Sequence, residues 1–191
     1  MSEGPAAAGR LIVGVSGASG AALAVRLLEA LAETELEVHL VATAAGRAVL
    51  EHETGRSVDE LAGLVAAVHA PDDLFAPIAS GSFRVRGMVV VPCSMKTLAG
   101  VAAGLADNLL LRAADVCLKE RRRLVLVARE APLSLIHLEN MRTVTLAGAV
   151  VLPPVLTMYT RPTTIEELVD QITGKVLDLL DVDCEVRRRW G

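Results

Sequence analysis

Short, entirely apolar runs alternate along this chain with longer segments of helical periodicity, and this alternation constrains the fold more than any other feature. Five runs predict strands: Leu11–Val15, Val38–Ala42, Met88–Val91, Leu124–Ala128 and Ala149–Leu152. A strand that is apolar on both faces must be covered on both faces, as in a parallel sheet between helices. The pattern therefore predicts a three-layer, Rossmann-like α/β fold with a mainly parallel sheet flanked by helices.

Segments of helical periodicity fill the intervals between these strands. They predict helices over Ala21–Ala32, Ala44–His52, Val58–Ala66, Met95–Ala103, Asn108–Glu120, Leu135–Ala147 and Ile165–Leu180. Two threonines support these boundaries, because Thr43 and Thr164 precede predicted helices as N-cap residues do. The helical predictions thus agree with a strand–helix alternation along the whole chain.

The length of the chain suits one compact domain. It has 191 residues, of which 52% are hydrophobic, so it can bury a sizeable core. No low-complexity linker or internal repeat divides it. We therefore predict a flexible N-terminus over 1–9, a single domain over 10–182 and a C-terminal tail over 183–191.

Charge and cysteine content exclude several classes of protein. A net charge of -4 and a pI near 5.6 argue against a dedicated nucleic-acid binder. The longest apolar stretch is too short for a membrane helix, which needs roughly 20 residues. The cysteines Cys93, Cys117 and Cys184 form no CxxC pair, so no zinc module is predicted. Their odd number, without a secretion signal, favours the cytoplasm.

The first strand runs into a glycine-rich turn, LIVGVSGASG over Leu11–Gly20, and then into a helix. Backbone N–H groups at such a turn, together with the helix dipole, favour an anion. Glycine also suits the sterics of a tight strand-to-helix turn, and both interpretations stay open. The spacing is GxxGxxG, and Thr43 stands after the second strand where an NAD site needs an acid. The turn therefore favours the phosphate of FMN over NAD.

A second turn of the same kind follows the third predicted strand, in GMVVVPCSMKTL over Gly87–Leu98. Ser94, Lys96 and Thr97 open a helix there, either as further anion or flavin contacts or, for Ser94, as an ordinary N-cap. Both turns lie at carboxyl ends of strands, where open α/β sheets bind ligands. The pair therefore predicts one ligand site.

Further charged residues, between Arg112 and Glu130, belong either to the ligand site or to a solvated helix end. Arg112 and Lys119 are seven residues apart and share a helix face. Arg129 and Glu130 end a buried strand, which places them at the ligand edge. The charges of Arg121–Arg123 are explained by a helix C-terminus, whose dipole they complement.

Two aromatic residues are also ambiguous in the sequence. Phe83 lies in the loop Ala76–Arg84 and Tyr159 follows two prolines; each predicts either a ligand contact or simple packing. With only 2% aromatic residues in the chain, any aromatic ligand contact has to come from a very short list.

Taken together, these segments resemble the UbiX/Pad family of flavin prenyltransferases. The blocks GVSGASGA, ASGSF, GMVVVPCSMKTLAG, DNLLLRAADVCLKERRRLVLVARE and PPVLTMYTRP occur in that family's order between about Leu11 and Asp181. The resemblance implies a flavoprotein fold and transfer of a dimethylallyl group from dimethylallyl monophosphate to N5 and C6 of reduced FMN. It implies that no metal takes part and that the prenylated FMN serves UbiD-type decarboxylases. It also implies a large homo-oligomer, such as a dodecamer, with sites shared between subunits.

The resemblance also implies roles for individual residues. FMN would contact Gly17, Ala18, Ser19, Thr43, Ser94, Met95, Lys96, Thr97 and Arg129. The prenyl phosphate would be bound by Arg112, Lys119, Arg129, Tyr159 and Lys175, with Lys175 standing where an arginine is usual. Ser19, Glu53 and Glu130 would take part in catalysis by moving protons.

Two alternatives belong to other classes. A flavin-dependent cysteine decarboxylase of related fold would carry an asparagine in the second turn, where this chain has PCSMKT, and a histidine near the flavin. A non-catalytic subunit that binds FMN and delivers it to a decarboxylase would not need Lys119, Arg129, Glu130 and Tyr159. These residues therefore favour the prenyltransferase.

Overall fold

The computed structural model describes residues 9–183 and Val186, and over these residues the sheet has six strands. They are β1 Arg10–Val15, β2 Glu37–Ala42, β3 Ala67–His69, β4 Gly87–Cys93, β5 Arg123–Ala128 and β6 Val150–Val151. All neighbouring pairs are parallel, and the strand order is β3-β2-β1-β4-β5-β6. The predicted α/β fold is confirmed.

Helices cover both faces of this sheet. Their bounds are α1 Ala21–Ala32, α2 Ala44–Thr54, α3 Val58–Leu61, α4 Met95–Ala102, α5 Leu109–Lys119, α6 Leu135–Leu146 and α7 Ile165–Leu179. The N-cap prediction is confirmed at Thr43 and Thr164, whose side chains accept the backbone N–H of Gly46 and Glu167. The predicted terminal segments, with Trp190, lie outside the described residues except for Gly9, Asp183 and Val186.

The prediction was wrong at one place, the third helix. The predicted helix Val58–Ala66 contains only α3 and the 3₁₀ turn Ala62–Leu64, and the chain then enters β3. Three residues are too few to show a period of two, and β3 exists because it pairs with β2. Tertiary pairing therefore decided an element that local sequence could not.

The strands are apolar throughout because each face of the sheet packs on its own helix layer. Val13 and Leu40 belong to the cluster that includes α1 and α7. Their neighbours Ile12 and Val41 point the other way, into the cluster formed with α4 and α5. This two-sided burial makes the sheet a rigid platform, so that the loops at its carboxyl edge are held in fixed positions.

The strand order identifies where a ligand would bind. From β1 the chain proceeds outward to β2 and β3, whereas from β4 it proceeds the other way to β5 and β6. In open α/β sheets, the crevice outside the carboxyl ends of the two central strands at such a reversal is the usual ligand site. Here it lies between the turn Ser16–Gly20 and the turn Cys93–Ser94.

A histidine pair joins the outer strands β2 and β3, and Phe83 packs against it. His39 Nδ1 and His69 Nε2 are 2.9 Å apart, so one ring donates a hydrogen bond to the other. The Phe83 ring packs edge-on against His39, and the Arg10 guanidinium lies 4.7 Å above Phe83. Since Arg10 begins β1, Phe83 is at the amino edge of the sheet. Of its two predicted roles in this chain, the structure shows packing.

Burial lowers the pKa of both His39 and His69, and the neighbouring His69 lowers that of His39 further. Their pKa values therefore lie below the value of about 6.5 expected in the unfolded chain. We expect the free energy of unfolding to decrease as the pH falls from about 7 towards 5.5, by at most about 1.4 kcal/mol per pH unit for each histidine that stays neutral. Urea titrations at several pH values measure this slope.

The variant His69→Gln should show a shallower slope, and His52→Gln, which changes an exposed histidine on α2, should leave it unchanged. An unaltered slope in His69→Gln would contradict the assignment of the pH dependence to this pair.

Candidate functional site

One buried serine joins the two turns at the switch point. The Ser16 hydroxyl donates to the carbonyl of Pro92 at 2.9 Å and accepts the backbone N–H of Ser94 at 2.8 Å. The backbone N–H of Ser16 also reaches the Pro92 carbonyl, at 3.2 Å. The end of β4 is therefore fixed to the turn that follows β1. No pattern in the sequence distinguishes Ser16 from the other residues of the first turn.

Glycine in the first turn has a steric function. A Cβ at Gly17 would lie 2.5 Å from the Cβ of Ala45 at the start of α2, so no side chain fits there. Gly20 has φ 111°, in the left-handed region that favours glycine. The steric interpretation of these two glycines is thus correct, and it does not exclude anion binding by the same turn.

The N-terminus of α1 already holds an anion, the side chain of Glu53 from α2. Glu53 Oε2 accepts the N–H of Gly20 at 2.9 Å and of Ala21 at 2.8 Å. This carboxylate thereby caps a helix that has no side-chain cap from its own N-cap residue. A flavin phosphate would have to use the earlier part of the turn, Gly17–Ser19.

The charge of Glu53 is maintained by these contacts. Partial burial raises the pKa of Glu53, but hydrogen bonds from Ser19, Ala21 and Gly20 and the nearby charge of Arg129 outweigh it, so the net pKa is lowered. Glu53 is therefore ionised at neutral pH and is directly linked to the hydroxyl of Ser19. The structure brings together two of the three predicted catalytic residues.

The predicted flavin contacts in the other two turns also serve as helix caps. Thr43 Oγ1 accepts the N–H of Gly46 at 3.0 Å, and Ser94 Oγ accepts that of Thr97 at 3.3 Å. Ser94 Oγ also donates to the hydroxyl of Thr97, which is buried. Met95 is half-buried and Lys96 is exposed in the first turn of α4. The N-cap interpretation of Ser94 is therefore correct.

Arg129 and Glu130 lie at the same carboxyl edge. The N–H of Arg129 bonds to the carbonyl of Cys93 at 3.1 Å, which places Arg129 beside the start of the second turn. Its charge lowers the pKa of Glu53 across the crevice. Glu130 is exposed, and its carboxylate accepts the N–H of Ala131 at 3.0 Å. Ser19, Glu53 and Arg129 therefore form one cluster, and the start of the second turn lies beside Arg129.

Lys119 lies elsewhere, at the amino edge of the sheet. It ends α5 shortly before β5 begins at Arg123, and a Cβ at Gly81 would lie 2.9 Å from its Nζ. Its ammonium pairs with Glu120. Within one chain, Lys119 is thus separated from the Glu53 cluster by the length of the sheet.

Arg112, near the start of α5, is held by contacts within the chain. Its guanidinium donates to the carbonyl of Ala79 at 3.0 Å and pairs with Asp115 at 2.6 Å. These contacts tie α5 to the 3₁₀ turn Pro77–Ala79. The shared helix face predicted for Arg112 and Lys119 therefore contacts the loop around Gly81.

The predicted role of Arg121–Arg123, to complement a helix dipole, is incomplete for Arg122. Its guanidinium donates to the carbonyls of Gly81 at 2.6 Å and Phe83 at 2.8 Å, so it fastens the loop that lies against Lys119. The planar fork of arginine suits two such acceptors. The helix-dipole interpretation missed this role because the loop is some forty residues away in sequence.

The two remaining predicted phosphate ligands lie near α7. Tyr159 is 59% exposed, in the segment that leads from the carboxyl end of β6 to α7. Lys175 is exposed and lies four residues before Leu179. The carbonyl of Leu179 accepts a hydrogen bond from the guanidinium of Arg123, which begins β5 at the amino edge of the sheet. The segment that contains Tyr159 therefore begins at the edge of the candidate site, whereas Lys175 lies on the part of α7 that runs away from that edge.

The cluster's donors suit a phosphorylated, planar ligand. The turn Gly17–Ser19, the first turn of α4 with Lys96, and Arg129 all lie at the carboxyl edge of the sheet, and they offer the backbone N–H groups and cations that a phosphate monoester requires. The N–H of Ala18 already donates to the carbonyl of Ser16 at 2.9 Å. Among the described residues, no group of three or more His, Cys, Asp or Glu could hold a metal ion. In the same part of the chain, no helix has both the length and the apolar character to cross a bilayer.

An all-parallel sheet whose strand order reverses between two such turns is the architecture of nucleotide-binding α/β proteins. The Flavoprotein family model matches residues 2–177. Flavin prenyltransferase UbiX of Thauera aromatica is 49% identical over 181 residues, which cover 95% of this chain and 93% of that protein. The chain belongs to the UbiX family of flavin prenyltransferases.

Two solved structures agree with this assignment. AnUbiX (PadA1), crystallised with FMN and dimethylallyl pyrophosphate, superimposes with a TM-score of 0.94 at 50% identity and covers 96% of this chain and 97% of its own. A dodecameric FMN-dependent Ubix-like decarboxylase from Escherichia coli O157:H7 has a TM-score of 0.93 at 49% identity, over 95% of this chain and 99% of its own.

Proposed function

We propose that this protein transfers the dimethylallyl group of dimethylallyl monophosphate to N5 and C6 of reduced FMN. The observation that carries this proposal is the cluster of Ser19, Glu53 and Arg129 at the switch point of a UbiX-family chain. The relative crystallised with FMN and dimethylallyl pyrophosphate supports the two ligand classes. When bound, reduced FMN supplies the electron-rich atoms to which the allylic carbon becomes attached.

The flavin phosphate would be held by the backbone of Gly17, Ala18 and Ser19 and by the side chain of Thr43. The ring system would lie against the second turn, at Ser94, Met95, Lys96 and Thr97, beside Arg129. These positions rest on the two turns being fixed next to each other at the crevice. Small residues in the first turn leave room for a ligand to approach the backbone.

The carboxylate of Glu53 would accept a proton through the hydroxyl of Ser19, to which it is linked. Closing the second bond to the flavin requires loss of a proton from the reacting carbon, and a positioned carboxylate is suited to that task. Glu130, at the same edge, would take up the proton released from N5 when the first bond forms and deliver it to the double bond of the dimethylallyl group, which makes the carbon that bonds to C6 electrophilic. The ionised state of Glu53 at neutral pH suits a proton acceptor rather than a donor.

The leaving phosphate would be neutralised by Arg129 and Tyr159 from one subunit and by Arg112 and Lys119 from a neighbour. Charge that develops on a departing phosphate is stabilised most by cations already in position. Because Lys119 lies at the amino edge of its own sheet, it can reach such a site only on another copy. Lys175 would assist from α7, also across a subunit boundary.

The surface is consistent with such assembly. α6 buries only Val144, and it exposes Leu135, Ile136, Leu138 and Leu146. The segment before α7 adds exposed apolar residues, namely Val155, Leu156 and Met158. An apolar surface of this extent usually marks an interface between proteins. We therefore propose a homo-oligomer, and the dodecameric relative from Escherichia coli O157:H7 supports this proposal.

The test is to incubate the protein anaerobically with reduced FMN and dimethylallyl monophosphate and to measure the flavin by mass spectrometry. We expect a flavin heavier by one C5 unit, together with release of inorganic phosphate. A parallel incubation with dimethylallyl pyrophosphate decides which donor is used. Bound FMN that gains no mass with either donor would reject the proposal, and release of carbon dioxide from a cysteinyl peptide would support the decarboxylase alternative.

The product would serve a UbiD-type decarboxylase as its cofactor. We also propose a cytoplasmic location, because Cys93 and Cys117 are free thiols and burial raises the pKa of each to about 12. Such thiols are inert structural residues that suit a reducing compartment.

A further inference from the structure

Ser16 has contacts that the proposed reaction does not use. It lies between β1 and the residues that would touch the flavin, yet its side chain is only 1% exposed. A bound ligand therefore cannot contact its hydroxyl directly. Its partners, however, belong to the other turn of the site, since it bonds to Pro92 and Ser94.

These bonds lie at the point where regular pairing between β1 and β4 ends. Paired residues run from Leu11 with Gly87 to Gly14 with Val90, and β4 is irregular between Val90 and Cys93. Beyond that point the ladder between the two strands is continued by the backbone N–H and the hydroxyl of Ser16. The hydroxyl thus replaces regular pairing at the mouth of the crevice.

The Ser16 hydroxyl uses both of its capacities, one as donor and one as acceptor. It is bonded to a carbonyl of β4 and to the N–H of Ser94, the residue that caps α4. Removing it would leave the Ser94 N–H without this partner in a half-buried position, which favours movement of the second turn. The two turns would then no longer be fixed at one separation.

We propose that Ser16 is a positioning residue that sets the separation of the two flavin-binding turns. It acts through Ser94 and Gly17 and does not touch the flavin or the prenyl donor. This inference rests on the proposed function, because it assumes that FMN binds between the two turns.

The test compares Ser16→Ala with the wild type by titration with FMN and by steady-state kinetics. We expect the Kd for FMN to rise about tenfold, the effect of one lost hydrogen bond to a poorly solvated group. The KM for reduced FMN should rise in parallel, whereas the KM for dimethylallyl monophosphate should change less than about twofold. Ser16→Thr, which keeps the hydroxyl, should restore FMN affinity.

A matched control separates positioning from loss of stability. Val89 is fully buried in β4 and lies within the sheet, away from the turns. Val89→Ala should lower the melting temperature with little change in the Kd for FMN. If Val89→Ala weakens FMN binding as much as Ser16→Ala does at similar loss of stability, the proposal is overturned.

The remaining outcomes are also decisive. An unchanged Kd for FMN in folded Ser16→Ala overturns the inference and leaves the proposed function intact. If Ser16→Ala does not fold, Ser16→Cys takes its place, because a thiol fills the site but is a weaker donor and acceptor; unchanged affinity there overturns the inference too. Failure of the wild type to bind FMN would instead reject the proposed function.

Discussion

Replacing Glu53 by glutamine should lower the rate of prenyl transfer by about 10²–10⁴-fold, the usual contribution of a positioned acid or base. Glutamine keeps an oxygen that can accept the N–H groups of Gly20 and Ala21, so α1 stays capped and FMN stays bound. The amide cannot accept a proton through Ser19. Single-turnover mass spectrometry of the flavin measures the rate, and an FMN titration measures binding.

Glu51→Gln is the matched control, because Glu51 is exposed on the same helix two residues earlier. It should leave both rate and binding unchanged. Equal rates in Glu53→Gln and the wild type would remove Glu53 from the proton-transfer role and leave it as a helix cap alone.

The pH dependence of the wild type follows from the lowered pKa of Glu53. A carboxylate whose pKa is lowered in the folded protein keeps its charge until the pH falls below its usual value near 4.5. Its contribution to activity and to α1 is therefore present above that value and is lost only in more acidic solution. Glu53 should cause no loss of rate between about pH 5.5 and 8.

Co-expression of Lys119→Ala with Glu53→Gln should give mixed oligomers that recover prenyl transfer, although each variant alone is nearly inactive. Removing Lys119 should lower the rate about 10²–10³-fold, as loss of one transition-state charge contact does. If each site takes Glu53 from one subunit and Lys119 from a neighbour, random mixing leaves about a quarter of the sites with both residues. Two affinity tags isolate the mixed oligomers, and phosphate release measures turnover.

The double variant, which carries both changes in one chain, is the control and should stay inactive when expressed alone. Mixed oligomers with no more activity than the single variants would contradict the sharing of sites between subunits. The physical reason to expect recovery is the placement of Lys119 at the amino edge of the sheet and of Glu53 at the carboxyl edge.

Much of this site could be read from the sequence because it depends on local order. An apolar run followed by glycine and then a helix fixes a strand, a turn and a helix start, so the positions of Ser19 and Ser94 followed directly. Arg129 and Glu130 could be assigned to the ligand edge because they end a buried strand. The family resemblance supplied Glu53, which no local pattern had distinguished from Glu51.

Other features depend on contacts between distant parts of the chain. The hydroxyl of Ser16 is like any other until β4 lies beside β1, seventy-six residues away. Arg122 looked like a helix end until the loop carbonyls of Gly81 and Phe83 were placed around it. The strand β3 exists only because β2 pairs with it.

The sequence by itself determined the layered fold, the two turns and the residue types of the site, because hydrophobic periodicity and glycine act over a few residues. The tertiary structure decided which charges share a crevice. It placed the carboxylate of Glu53 at the N-terminus of α1, where the sequence alone predicted a phosphate. It also separated Lys119 from that carboxylate, because a parallel sheet sends the end of each strand and the end of the following helix to opposite edges.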